Sequence, residues 1–171
     1  MTVAETGPAL VLIGAPAAGK TRIGKRVAKL LDIPFIDTDR RIVAEHGSIA
    51  DIFVLHGEPY FREREREQVA LALLEPAVIS LGGGAVLNEH TQADLAPLRV
   101  ALLTVSPEAL AGRNLAAKRP LLAGGIEAWK ALVAARAPLY ERLADRTFDT
   151  SVLPAERIAD DIVAWMRESD D

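Results

Sequence analysis

The segment ALVLIGAPAAGKT, residues 9 to 21, constrains the fold more than any other part of the sequence. ALVLIG is a continuous apolar run, as expected of a strand buried on both faces in a parallel sheet covered by helices. It leads directly into GAPAAGKT, residues 14–21, which satisfies G-x-x-x-x-G-K-[ST] in the strand–loop–helix setting that the pattern requires. Backbone N–H groups of such a loop, together with the positive end of the following helix, make a cradle for phosphate oxygens. Lys20 is placed to reach the β- and γ-phosphates of a nucleotide, and Thr21 to offer a hydroxyl to Mg²⁺. The loop alone leaves ATPases, GTPase switches and small-molecule kinases open. The sequence has no N-K-x-D guanine motif, and the chain is too short for a mechanical ATPase with added domains, so a small kinase is the favoured class.

The rest of the chain alternates short apolar runs with longer helical stretches, the pattern of a parallel sheet with crossover helices. After the loop, a helix is predicted from about Lys20 to Leu31, with Ile23, Val27, Leu30 and Leu31 at helical spacing. PFID is a second strand, AVISL (77–81) a third, VALLTV (100–105) a fourth and RTFDT (146–150) a fifth. Ser48 is a cap for a short helix, with Asp51 three residues on, and EPYFREREREQVALALL (58–74) is a charged helix. Ser106-Pro107 starts another helix, a further one runs from about Ile126 past Arg136 with Pro138 kinking or ending it, and Pro154 opens the last. The expected fold is α/β, a three-layer α/β/α sandwich around a five-stranded parallel sheet. One domain spans residues 1–171, with an N-terminal extension of about 1–8, acceptor-binding helices over about 38–72 and a lid over about 114–126.

Composition narrows the partners. The formal net charge of −4 leaves no basic footprint for nucleic acid or an anionic membrane. The absence of cysteine excludes disulfides and thiolate metal sites. No apolar run approaches the roughly 20 residues needed to span a bilayer. MTVAETGP has neither the basic region nor the apolar stretch of a secretion signal. The expected location is the cytoplasm.

In such sheets ligands bind beyond the carboxyl ends of the strands, which is where IDTD (36–39) places Asp37 and Asp39. Read as alternating strand residues, the two carboxylates face the same way and are tolerable only beside positive charge. Asp37 is then suited to hold Mg²⁺ through water with Thr21, and Asp39 to accept a hydrogen bond from the hydroxyl of a phosphoryl acceptor. The competing reading is that DTD simply caps the next helix. In FREREREQ (61–68), Arg62 and Glu65 share a stripe with Val69 and Ala72 and can face inward, whereas Glu63, Arg66 and Glu67 read as a solvated face. LGGGA, with Gly82, Gly83 and Gly84 in a row, suggests close approach of backbone to a ligand. AAKRPLLAGG (116–125) has the composition of a lid in which Arg119 neutralises transition-state charge, or of an ordinary surface loop. His46, His56 and His90 show no metal-ligand spacing, and Trp129 and Trp165 read as packing residues.

Taken in order, GAPAAGKT, DTD, FRERE, LGGGA, RPLL and RAPLY resemble the motifs of shikimate kinases, small members of the nucleoside monophosphate kinase-like phosphate-loop enzymes. The resemblance spans residues 9 to 165. It implies transfer of the γ-phosphate of ATP to the 3-hydroxyl of shikimate, a step towards chorismate in aromatic amino acid biosynthesis, by an enzyme that is usually a monomer. Carried over residue by residue, it implies that Gly14, Ala15, Pro16, Ala17, Ala18, Gly19, Lys20, Thr21 and Arg22 bind ATP, with Arg113 on the adenine side and Arg119 closing onto the phosphates. Thr21 and Asp37 would hold Mg²⁺. Asp39 would bind shikimate hydroxyls and act as base. Arg62 and Arg136 would clamp the shikimate carboxylate, with Glu65 holding Arg62, and Gly83 and Gly84 would donate N–H groups. The chain departs from the family pattern at Ala17, where glycine is usual, and at Ala18, often serine or cysteine. The SVLP stretch also lacks the polar or basic residue that often approaches adenine. Two alternatives stand beside this reading: another small-molecule kinase such as a gluconate kinase, and a non-catalytic nucleotide-binding paralogue.

Overall fold

A computed structural model describes residues 7–111 and 124–171. Five strands, β1 (Leu10–Gly14), β2 (Phe35–Asp37), β3 (Val78–Ser80), β4 (Val100–Thr104) and β5 (Arg146–Asp149), form one parallel sheet in the order β2-β3-β1-β4-β5. All their carboxyl ends therefore open on one edge. The eight helices of the described residues are α1 (Lys20–Leu31), α2 (Thr38–His46), α3 (Ile49–His56), α4 (Glu58–Ala72), α5 (Glu89–Leu95), α6 (Pro107–Leu110), α7 (Gly125–Leu143) and α8 (Ala155–Asp170).

Strand alternation divides the core into two layers. Leu10, Leu12, Val78, Ala101, Leu103 and Phe148 face one side and pack with Ile23, Val27, Ile158 and Ile162 of α1 and α8. Val11, Ile13, Ile36, Ile79, Val100 and Leu102 face the other and meet Val69, Ala72, Leu95 and Tyr140. A third, smaller core joins α2, α3 and α4 through Ile42, Ile52 and Phe61, outside the carboxyl edge of the sheet. The expected sandwich is the observed one, and β1 is fully buried as its composition requires.

The structure corrects several local expectations. The strand ends at Asp37, and Thr38 already begins α2, so Asp37 and Asp39 are not alternating strand residues. Asp37 is the helix cap, accepting from the N–H groups of Asp39 and Arg40. Pro138 does not end its helix: α7 continues to Leu143, and the lost backbone donor is outweighed by burial of Tyr140 and by Leu139 and Leu143 packing on the core. Arg66 is only partly solvated; it bonds Asp94 at 2.8 Å and Thr91 at 3.0 Å and fastens α4 to α5. The Ser48 cap and the Ser106-Pro107 start occur as read, with Ser48 Oγ accepting from Asp51 N–H and Ser106 Oγ from Ala109 N–H. Helix α5 and the 3₁₀ turn Ala85–Leu87 had no separate signal in the sequence.

Candidate active site

The phosphate loop leaves β1 and crosses over its end before α1 begins at Lys20. The loop has positive φ at three positions, Gly14 at 147°, Ala17 at 67° and Gly19 at 95°. Glycine adopts this freely, whereas alanine pays on the order of 1 kcal/mol, so Ala17 carries local strain at the position where the resemblance leads one to expect glycine. Lys20 is buried, and its Nζ donates to the carbonyls of Gly14 (2.7 Å) and Ala15 (2.9 Å), which holds the cation inside the loop. The first-turn N–H groups of α1 have no partners within the helix and bring the positive helix end to the same place. Arg22 lies on the solvent face of α1, paired loosely with Glu156 at 3.8 Å.

Thr21 and Asp37 meet across the β1 and β2 ends, with the Thr21 hydroxyl donating to Asp37 Oδ2 at 2.8 Å. Hard oxygens of this kind suit Mg²⁺. Among the described residues no three His, Asp or Glu side chains converge as a preformed metal site. That fits a metal held mainly by phosphates and water, with the protein adding one or two oxygens.

A cleft opens beside the loop and is lined by Pro16, Asp39, Ile49, Phe53, Phe61, Arg62, Glu65, Gly83, Gly84 and Arg136. Helix α4 sends Arg62 and Glu65 inward as their stripe suggested, with Arg62 Nη1 bonding Glu65 Oε1 at 2.8 Å. Burial pushes the Glu65 carboxyl above its ordinary range, and the adjoining Arg62 offsets only part of that effect. Asp39, in the first turn of α2, is buried and adds negative charge next to Glu65. Helix α7 contributes Arg136, buried at 6% exposure, whose Nη1 finds no hydrogen-bond partner among the described residues. A buried guanidinium N–H without an acceptor is costly, and here it faces a cleft.

The three glycines follow β3, and Gly83 and Gly84 line this cleft. A side chain at Gly82 would meet Asp39 Oδ1 at 2.5 Å, one at Gly83 would meet Pro16 at 2.9 Å, and one at Gly84 would meet the Arg62 guanidinium at 2.5 Å. The closeness anticipated from the glycine run is therefore, in this structure, closeness to the charged side chains of the cleft and to the phosphate loop. Thr38, fully buried, latches α2 to this turn, its hydroxyl reaching the Ser80 carbonyl and accepting from Gly82 N–H.

Ile49, Phe53 and Phe61 form an apolar wall that the sequence reading did not single out. Their spacing looks like ordinary helix core, and only the separate packing of α2, α3 and α4 turns that face to the cleft. Trp129 is a packing residue with one addition, its Nε1 donating to the Pro16 carbonyl at 2.9 Å. Trp165 packs on Phe148. His46 and His56 flank Tyr60 away from the cleft. Arg113, Arg119 and most of the 114–126 segment lie outside the described residues.

Residues 16–167 match the family profile described as Shikimate kinase. The Thermobifida fusca shikimate kinase is 47% identical over 157 residues, covering 90% of this chain and 91% of the relative. The chain belongs to the shikimate kinase family. A Saccharopolyspora erythraea shikimate kinase is 43% identical, covering 91% of this chain and 92% of its own length. Among solved structures, shikimate kinase from Acinetobacter baumannii in complex with shikimate has a TM-score of 0.89 at 30% identity, with 96% of each chain covered. The family match runs from Pro16 in the phosphate loop to Arg167, a span that includes Asp39, Arg62, Glu65 and Arg136.

Proposed function

We propose that this protein transfers the γ-phosphoryl group of ATP to the 3-hydroxyl of shikimate, giving shikimate 3-phosphate and ADP. The observation that carries this is the cleft in which Arg136, buried with an unpaired N–H, and the Arg62–Glu65 pair lie with buried Asp39 beside the phosphate loop. An acceptor with one carboxylate and several hydroxyls matches that set. The planar guanidinium forks suit the carboxylate, and Asp39 suits the hydroxyls.

In this reading the loop N–H groups and Lys20 hold the phosphates, whose oxygens compete with the Gly14 and Ala15 carbonyls for Nζ. Thr21 and Asp37 would hold Mg²⁺, which when bound supplies charge neutralisation on the β- and γ-phosphates. Asp39 orients the 3-hydroxyl and takes its proton as the oxygen–phosphorus bond forms and the bond to the β-phosphate oxygen breaks. Arg62 and Arg136 fix the far end of the acceptor, so the reacting oxygen lies in line with the leaving group. Gly83 and Gly84 add N–H donors. Arg119 would neutralise the transferring group and Arg113 would lie beside adenine. The apolar wall of Ile49, Phe53 and Phe61 covers the acceptor ring and keeps water from competing as nucleophile. The reading also makes the protein a cytoplasmic monomer acting on two small molecules. No described helix is long and apolar enough to cross a membrane.

The test is ADP release from Mg-ATP with and without shikimate, with gluconate and nucleoside monophosphates as parallel acceptors. Shikimate-dependent release is expected. ATP binding without such release, or release driven by gluconate instead, would overturn the assignment.

A further inference from the structure

Tyr140 lies one helical turn beyond Arg136 on α7, so the two side chains leave the same face of the helix. Its ring is buried in the core layer, and its hydroxyl donates to the Gly83 carbonyl at 2.6 Å. The Arg136 guanidinium is near enough to that same hydroxyl to act on it electrostatically. One phenolic oxygen thus bonds the glycine turn beside a cleft-lining arginine.

The bond to Gly83 has a geometric consequence. The peptide joining Gly83 to Gly84 is planar and trans, so its C=O and the following N–H point in opposite directions. Holding the Gly83 oxygen toward α7 turns the Gly84 N–H away from α7. Neither Gly83 nor Gly84 spends its N–H on a backbone partner among the described residues, whereas Ala85 and Leu87 bond back to Gly82 and Gly84. Three adjacent glycines leave this turn unusually free to rotate its peptide planes, so an external restraint is needed to keep one orientation.

We propose that Tyr140 is a positioning residue for the acceptor carboxylate. It fixes the Gly83–Gly84 peptide so that the N–H faces the cleft. This rests on the functional reading above. Its effect should fall on the acceptor end that carries the carboxylate, and not on ATP.

Tyr140→Phe tests it, because the ring and its packing remain and only the hydroxyl is lost. The expected result is a rise of about tenfold in the shikimate KM, the scale of one lost hydrogen bond. The ATP KM should be nearly unchanged, and so should the KM for a shikimate analogue whose carboxylate is reduced to a hydroxymethyl group. Thermal unfolding of the variant, followed alongside, reports whether the fold is intact. An unchanged shikimate KM overturns the positioning role, as does an equal loss with the carboxylate-free analogue. So does a parallel rise in both substrate KM values with a lowered Tm, which would make Tyr140 a purely structural residue. If the Phe variant does not fold, Tyr140→Trp, which keeps a donor on a large ring, must retain part of the shikimate selectivity over the analogue; its complete loss in a folded protein counts against the proposal. Wild-type protein that releases no ADP with shikimate would instead overturn the functional reading itself.

Discussion

Thr21 and Asp37 are joined by a 2.8 Å hydrogen bond across the carboxyl ends of β1 and β2. The other oxygen of the same carboxylate caps α2, accepting from Asp39 and Arg40 N–H. One side chain therefore fixes the loop hydroxyl and the helix that carries Asp39. Cap and metal carboxylate, which the sequence posed as alternatives for the DTD stretch, are compatible roles for Asp37.

Asp37→Asn separates those roles. Asparagine caps helices about as well as aspartate, so Tm should move by no more than about 2 °C. The lost negative charge should raise the Mg²⁺ concentration giving half-maximal activity by roughly 10–100-fold, the usual penalty for removing a supporting group of a metal. Titrating Mg²⁺ at saturating ATP and shikimate measures this; an unchanged titration curve would remove Asp37 from the metal site.

The parts legible in the sequence were those with strong local signals. The buried β1 run and the phosphate loop follow from periodicity and spacing, and the structure places them as read, whereas the stripe carrying Arg62 and Glu65 only allowed the inward orientation that the structure shows. Asp39 was harder, because a three-residue strand gives too little pattern to show where extended backbone yields to helix. Arg136 had no signal of its own: its burial depends on α7 crossing the glycine turn, a contact more than fifty residues away in sequence. The Ile49, Phe53 and Phe61 wall was hidden for the opposite reason, since its apolar spacing is equally that of a helix core.

Asp39→Asn should reduce turnover by about 10²–10⁴-fold, the range for a group that handles the proton in the transition state. The amide keeps the size of the carboxylate, so ATP binding measured by calorimetry should be unchanged. Activity near the wild-type value in this variant would mean that Asp39 only orients the hydroxyl, with proton removal occurring late or elsewhere.

Arg136→Met is expected to stabilise the empty protein while damaging function. The buried guanidinium carries an N–H without a partner, and a methionine of similar length relieves that cost, on the order of 1–3 kcal/mol. Without shikimate the Tm should rise by about 2–5 °C. The shikimate KM should increase by at least about 30-fold, the lower end for truncating one partner of a buried charge pair. A lowered Tm would show that Arg136 is already satisfied in the unliganded protein and is not waiting for an anion.

Glu65 makes a prediction about pH. Burial raises its pKa above 4.5, with the Arg62 ion pair opposing the shift. The folded protein therefore binds this proton more tightly than the unfolded chain does. Its contribution to stability is complete below the unfolded pKa and is lost as pH rises through the folded value. Wild type should accordingly be most stable relative to Glu65→Gln in acid, and the balance should shift toward the Gln variant as pH approaches neutrality. Function runs the other way: protonating Glu65 releases its hold on Arg62, so the wild-type shikimate KM should rise on acidification, beginning above the range of an exposed glutamate. Glu65→Gln should show a raised KM throughout and lack that acid limb. Tm curves and shikimate KM values collected on both proteins from acid to neutral pH test the two signs together. A Tm difference that shifts toward wild type as pH rises would falsify the desolvation argument, and an acid limb that persists in the Gln variant would assign the KM effect to another group.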